Sequence, residues 1–279
     1  MNTITQILQE STETLAQVSE TPALDVQTLL AHILGKPRSW LLTHPEDYLS
    51  SQALFTFQKD ITLLVEGIPL PYVLGRWEFY GLEFIVTPDA LIPRPETELL
   101  VEQALTWLSN KSNRRLGADL GTGSGCIAVA LAKHVRDLSI IATDISAQAL
   151  SVARSNTIQH QVSDRVHCLQ ADLFPPVDCQ FDLICANLPY IPTGTLRTLK
   201  IYRKEPSLAL EGGVDGLDLI RRFLNRAPAL ISPGGLILVE IEASQGLQAG
   251  SLAHQVFPNA EIRVLVDLAG HNRLVAIQI

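Results

Sequence analysis

The stretch that most restricts the fold is Arg115-Leu-Gly-Ala-Asp-Leu-Gly-Thr-Gly-Ser-Gly-Cys-Ile-Ala-Val-Ala-Leu-Ala132. A short apolar strand ends at Asp119-Leu120. A glycine-rich loop follows over Gly121, Thr122, Gly123, Ser124 and Gly125, and an apolar helix begins at once. The glycines let the backbone turn sharply and let a ligand approach without meeting a Cβ. The helix start offers that ligand free N–H groups. A dinucleotide fold calls for G-x-G-x-x-G, but here the third glycine comes one residue sooner. This tighter loop suits a ligand without a pyrophosphate. Asp119, just before it, is expected to accept hydrogen bonds from an ammonium group.

Two more strands end in acids. Leu138-Ser-Ile-Ile-Ala-Thr-Asp144 places a carboxylate 19 positions past Gly125, near the ~20-residue offset at which an acid reaches ribose hydroxyls. A helix over 146–159, capped by Ser146, follows. A third strand near Val166–Leu169 precedes Asp172-Leu173, an acceptor for an adenine amino group beside a flat apolar contact. A lone strand-end Asp more often forms a turn. Three at one sheet edge, phased with a glycine loop, favour a cofactor site.

Phe181-Asp-Leu-Ile-Cys-Ala-Asn-Leu-Pro-Tyr-Ile-Pro192 reads as a buried strand stopped at Asn187, since Pro189 and Pro192 bar a central strand from continuing. Taken alone, a strand and a proline turn is its commoner meaning. At the carboxyl end of a strand in an open α/β sheet, it is also a reaction platform. Residues 193–215 form a long irregular segment with Glu205-Pro-Ser-Leu-Ala-Leu-Glu-Gly-Gly213, and loops of that length tend to be functional or disordered. A helix from 215 or 216 to about 230, a Pro233-Gly-Gly turn, a strand at Leu236–Glu240 and a helix at Gln245–Val256 follow. The last two strands, 261–266 and 273–279, have no room for a crossover helix between them, so the final one is antiparallel.

Residues 1–75 carry helical periodicity, as in Val26, Leu29, Leu30 and Ile33. Thr21 is expected to cap that helix, with Pro22 at its first position and Gly35 at its end. Three basic and eight acidic residues in this region read as an ordinary solvated surface, or as a docking face for a basic macromolecule. Residues 76–92 read as a β-hairpin connector and 93–279 as the second domain. Ile92-Pro-Arg-Pro-Glu-Thr-Glu98 is a stiff extended loop before a helix. Arg94 in it is either half of a surface ion pair or part of a loop closing over the pocket.

The formal charge of −8 argues against broad phosphate-backbone binding, which needs a clustered basic face. The cysteines at 126, 168, 179 and 185 show no C-x-x-C spacing, so neither a metal site nor a disulfide frame is expected. No signal segment and no bilayer-length apolar run are visible, and a cytoplasmic chain with no membrane contact is expected.

Taken together, these residues resemble a class I S-adenosylmethionine-dependent methyltransferase. More closely, the chain resembles the HemK/PrmC family of release factor glutamine methyltransferases. The likeness is carried by Ile-Pro-Arg-Pro-Glu-Thr-Glu98, Asp-Leu-Gly-Thr-Gly-Ser-Gly125, the Asn187–Tyr190 turn, Glu205-Pro-Ser-Leu-Ala-Leu210 and Asp267-Leu-Ala-Gly270. It implies a Rossmann-like seven-stranded methyltransferase sheet with an antiparallel last strand, and a small N-terminal helical bundle for substrate docking. It implies S-adenosyl-L-methionine at Asp119, Gly121–Gly125, Asp144, Asp172, Leu173 and Asn187. It implies a glutamine from the Gly-Gly-Gln motif of class 1 peptide chain release factors at Asn187, Leu188, Pro189 and Tyr190, with Arg94 on the substrate side, in a monomer. The family turn is usually Asn-Pro-Pro-Tyr, and Leu188 departs from it. Glu242 stands where the family commonly has glycine.

An amide nitrogen is a poor nucleophile because its lone pair is delocalised, whereas a methyl sulfonium is a strong electrophile. Alignment and polarisation are therefore the main needs, and an Asn oxygen with a backbone carbonyl supplies both. The nearest rival is an exocyclic-amine (adenine) methyltransferase acting on nucleic acid, which needs a basic groove and a flipped base.

Overall fold

A computed structural model describes residues 3–111 and 115–279. The first two residues of the expected bundle, and 112–114 of the expected second domain, lie outside the described residues. Contacts divide the chain into two compact units, Met1–Arg76 and Trp77–Ile279.

The first unit is helical: α1 (Ile4–Leu15), α2 (Pro22–Leu34), α3 (Arg38–Thr43), α4 (Ser51–Val65) and α5 (Leu70–Leu74). Its core gathers Ile4, Leu15, Val26, Leu29, Leu30, Leu41 and Phe57, spaced as amphipathic helices require. A capping box of Thr3 and Gln6 starts α1, and Ser50 caps α4. Thr21 does not cap α2 as expected. Its hydroxyl donates instead to Asp25 Oδ1 at 3.1 Å, and Pro22 at the first helical position removes one N–H that a cap would otherwise serve.

From the boundary at Arg76 a hairpin follows, β1 (Arg76–Phe79) and β2 (Leu82–Ile85), then α6 (Glu98–Ser109). An alternating series follows: β3 (Leu116–Leu120), α7 (Cys126–His134), β4 (Ser139–Asp144), α8 (Ala147–Gln159), β5 (Val166–Gln170), β6 (Phe181–Ala186), a short α9 (Thr193–Leu196) and α10 (Asp218–Arg226). The chain ends with β7 (Ile231–Glu240), α11 (Gly246–Val256), β8 (Glu261–Val266) and β9 (Asn272–Gln278). The strand order is β5-β4-β3-β6-β7-β9-β8. The first five are parallel, and β9 runs antiparallel between β7 and β8. The seven-stranded sheet with an antiparallel last strand is thus present. The Pro233-Gly-Gly segment lies within β7 rather than forming a separate turn.

Strand order reverses between β3 and β6, the switch point where an open α/β sheet leaves a crevice at its carboxyl edge. The register brings the functional stretches there. Leu120 is opposite Ala186 on one side and Thr143 on the other, and Asp144 is opposite Gln170. Gly121, Asp144 and Asn187 therefore leave the sheet side by side. Every residue from Cys126 to Ala132 of α7 is buried, as an all-apolar helix must be. Its close approach to α8 depends on Gly125, at φ +81°, where a Cβ would stand 3.2 Å from that of Ala153. Asn156 of α8, fully buried, joins two segments. Its Oδ1 accepts from Ile85 N at 2.8 Å, and its Nδ2 donates to the carbonyls of Ile85 (3.0 Å) and Ser124 (2.9 Å).

Candidate active site

A cavity of about 470 Å³ opens at the switch point. Of the residues read from the sequence, Gly121, Gly123, Asp144, Asp172, Leu173, Asn187, Leu188 and Pro189 line it. Asp119, Thr122, Ser124, Gly125, Tyr190 and Arg94 stand outside the lining.

The glycine loop is braced from behind. Thr122 N donates to Thr143 O at 2.8 Å, and Gly123 N to Asp144 Oδ2 at 2.9 Å. Gly121 and Gly123 have φ of +71° and +55°, a left-handed conformation that favours glycine. Where a Cβ of Gly123 would stand there is open space, so a ligand can reach the backbone there. Asp144 Oδ1 accepts from Ser146 N at 2.9 Å. Each carboxylate oxygen has a second lone pair left for ribose hydroxyls, and burial raises the acid's pKa. Leu173 lines the cavity at φ +65°, a strained backbone for leucine. Thr143 Oγ1 holds it by donating to its carbonyl at 2.5 Å. These features fit a nucleoside-bearing cofactor.

Asp119 lies behind the cavity lining. It is 1% exposed, and its Oδ2 accepts from Thr122 Oγ1 at 2.6 Å and from Ala128 N at 3.2 Å. Its Oδ2 braces the glycine loop and the start of α7, while its Oδ1 is buried without a hydrogen-bond partner among the described residues. Burial pushes its carboxyl up to about 6. Asp172 is partly committed: its Oδ2 accepts from Arg222 Nη2 at 2.6 Å. Arg94, expected on the substrate side, pairs with Glu205, whose side chain is 2% exposed and whose Oε2 also accepts from Ile92 N at 3.3 Å. It therefore ties the proline-arginine loop to the Glu205–Leu210 segment.

The Asn187–Tyr190 turn is held on several sides. Asn187 Nδ2 donates to Thr97 Oγ1 at 3.1 Å. Among the described residues, neither Asn187 Oδ1 nor the Leu188 carbonyl accepts a hydrogen bond. Leu188 is 2% exposed, in the core on one sheet face. Its Cδ2 lies 3.1 Å from where a Cβ of Gly121 would be. Packing against the glycine loop thus supplies the constraint that a proline ring would give. Tyr190 OH donates to Glu240 Oε1 at 3.3 Å, and Gln245 Nε2 donates to Tyr190 O at 2.9 Å. Glu240, at the end of β7, is 1% exposed. Burial pushes it up to about 7 against the Tyr190 hydrogen bond that lowers it, and its Oε2 is buried without a hydrogen-bond partner among the described residues. Glu242 is a helix cap: its side chain accepts from Ser244 N at 2.8 Å, and its own N–H donates to Gln245 Oε1 at 3.0 Å. Thr97, Asn156, Glu205, Glu240 and Gln245 were not singled out as site residues by sequence. A polar residue at each such buried position was the available signal.

Residues 6–75 match the PrmC N-terminal domain and residues 96–203 the methyltransferase small domain. A release factor glutamine methyltransferase of Moorella thermoacetica is 40% identical over 274 residues, covering 97% of this chain and 96% of that protein. Those of Rhodopirellula baltica and Bordetella pertussis are 37% and 39% identical, covering 93% and 91% of this chain and 90% and 93% of theirs. Among solved structures, the hMettl16 catalytic domain in complex with the MAT2A 3′UTR hairpin 6 superposes with a TM-score of 0.58 at 15% identity, covering 78% of this chain and 81% of that one. The Thermus thermophilus 16S rRNA N2 G1207 methyltransferase in complex with AdoMet and guanosine gives 0.53 at 17%, covering 73% of this chain and 49% of that one. These two share the fold. The sequence relatives, matched end to end, show that the chain belongs to the release factor glutamine methyltransferase family.

Proposed function

We propose that this chain methylates the side-chain amide nitrogen of the glutamine in the Gly-Gly-Gln motif of class 1 peptide chain release factors, with S-adenosyl-L-methionine as donor. The observation that carries this reading is the pair of free acceptors, Asn187 Oδ1 and the Leu188 carbonyl, at the edge of the cavity. The glutamine NH₂ has two hydrogens, and each acceptor takes one. The named activity of the close relatives supports the substrate.

When bound, S-adenosyl-L-methionine supplies an electrophilic methyl group. Gly121, Gly123, Asp144, Asp172 and Leu173 would hold it. The remaining work is the chain's own. Asn187 and Leu188 orient the acceptor nitrogen, and their carbonyl dipoles stabilise the positive charge that grows there. No strong base is needed beforehand, because the product cation is acidic and loses its proton afterwards. Pro189 and Tyr190 wall the acceptor. No helix among the described residues is long and apolar enough to cross a membrane. The reading is of a monomeric, cytoplasmic enzyme acting on release factor, with the helical unit as its docking domain.

The test is radiolabelled methyl transfer to purified release factor and to a form with that glutamine replaced by alanine. Label on the first only is expected; equal label on both refutes the assignment. Asn187→Ala should lower transfer at least ~100-fold while donor affinity stays within about tenfold.

A further inference from the structure

We propose that Gln245 is a positioning residue that holds the exit of the Asn187–Tyr190 turn, so that the two acceptors at its start stay in place at the cavity edge. The inference rests on the function proposed above.

A glutamine amide donates at one end and accepts at the other, and every partner of Gln245 agrees on which end is which. Its Oε1 accepts from Glu242 N at 3.0 Å, and a backbone N–H can only donate. Its Nε2 therefore faces the other way, where it meets the carbonyls of Tyr190 at 2.9 Å and Asp215 at 3.4 Å. Both can only accept, and the amide has two hydrogens to give. Among the described residues the Tyr190 carbonyl accepts from no other group. Gln245 is 5% exposed, so water is poorly placed to replace it. A glutamate there would turn an oxygen toward two carbonyls, and an asparagine would stop one carbon short.

The turn is gripped at this point from another side as well. Gly216, at φ +79°, lies so close that a Cβ on it would overlap Tyr190 O and stand 2.5 Å from Gln245 Nε2. A Cβ on Gly212 would stand 2.7 Å from both Pro189 O and Tyr190 Cα. Gly212 N donates to Ile191 O at 2.8 Å, and Ile191 N to Leu210 O at 3.0 Å. Backbone thus packs directly on backbone, with no side chain between to take up slack. Glu211, Gly212 and Gly213 of the same segment line the cavity. The turn, this cavity wall and the short turn capped by Glu242 meet at Tyr190 O, and the Gln245 side chain joins all three. Asn187 and Leu188 lie just upstream, with Pro189 stiffening the path between. Releasing Tyr190 moves their oxygens, and displacement on the scale of ~1 Å is enough to slow an aligned transfer.

The test compares two variants. Gln245→Met keeps the length and removes both hydrogen-bonding ends; Gln245→Glu keeps the acceptor for Glu242 N–H and removes the donor. Methyl transfer to full-length release factor is measured with donor affinity and stoichiometry by calorimetry and the ¹³C signal of the Tyr190 carbonyl. Gln245→Met should lower kcat about tenfold or more, leave KM and donor affinity within about threefold, and move the Tyr190 signal. Gln245→Glu should do the same at about pH 9, but a protonated carboxyl regains a donor, so its rate relative to wild type should rise at least about threefold by about pH 6. Asp215, Tyr190, Glu240 and Glu242, the titrating groups on the segments packed around it, are common to both enzymes, so the ratio isolates position 245. An unchanged kcat or an unmoved Tyr190 signal in Gln245→Met overturns the inference. So does a kcat loss matched by lost donor-binding stoichiometry, which marks a merely structural role, or a flat ratio in Gln245→Glu. Should Gln245→Met not fold, the Gln245→Glu ratio and signal decide. Wild-type enzyme that puts no label on the glutamine refutes the function itself, before any variant is made; an active wild type matched by both variants refutes this inference alone.

Discussion

Adding one methyl group at Gly121 should unseat the acceptor turn. Gly121→Ala places a Cβ at φ +71°, 3.1 Å from Leu188 Cδ2 and 3.4 Å from Asn187 O. The left-handed backbone costs an alanine roughly 1–2 kcal/mol, and crowding a packed core costs roughly 1–3 kcal/mol. Stability should fall by about 2–5 kcal/mol in urea unfolding. Strain relieved by moving Leu188 also carries its carbonyl out of position, and misplacement on the scale of ~1 Å can cost ~100-fold in rate. Single-turnover methyl transfer should therefore fall at least ~10-fold. Leu188→Ala alone should cost about 2–4 kcal/mol as a buried truncation. Combined with Gly121→Ala, it removes the crowding atom, so the double variant should be more stable than the sum by about 1–2 kcal/mol. Additivity within ~0.5 kcal/mol, or wild-type transfer by Gly121→Ala, refutes the idea that this contact sets the turn.

Three further outcomes follow. Asp119 and Glu240 titrate near 6 and 7 in the folded chain, above their ordinary 3.8 and 4.5. The folded state thus holds protons that the unfolded state has released, and stability should fall as pH rises from about 4.5 to 7. Glu240→Gln should flatten that fall by roughly 3 kcal/mol, and a melting temperature that rises from pH 5 to 7.5 contradicts the assignment. Arg94→Ala leaves Glu205 buried without its partner and should cost about 2–4 kcal/mol in urea unfolding. Adding Glu205→Gln should recover more than half, and no loss in the single variant refutes the clamp. Glu242→Ala removes a helix cap and should cost about 1 kcal/mol with donor affinity unchanged; a loss of donor affinity would mean the cap acts on the site.

The features legible in sequence are those whose meaning is local. A strand, a glycine loop and an apolar helix are contiguous, so Gly121 and Gly123 are placed before any fold is known. Asp144 and Asn187 were placed by phasing along successive strands, and the β3–β4 and β3–β6 registers bring them together. For Asp119, spacing gives distance along the chain but not which way a strand-end side chain is covered. The turn into α7 buries it. Arg94 and Glu205 lie 111 residues apart and Asn187 and Thr97 lie 90 apart. No periodicity connects such pairs; the sheet does. Glu242 gained an account only when the short turn it caps became visible.

Leu188 has a consequence for temperature. A proline ring restrains its carbonyl by covalent bonds, which do not soften on heating. Here the same carbonyl is restrained by a side chain wedged against Gly121 in the apolar cluster under the sheet. That wedge is only as stiff as the packing around it, and packing loosens before the chain unfolds. Aim and melting are therefore coupled in this enzyme: as temperature climbs, it should release donor-bound, folded, but unproductive encounters well below the point at which its helices and strands are lost.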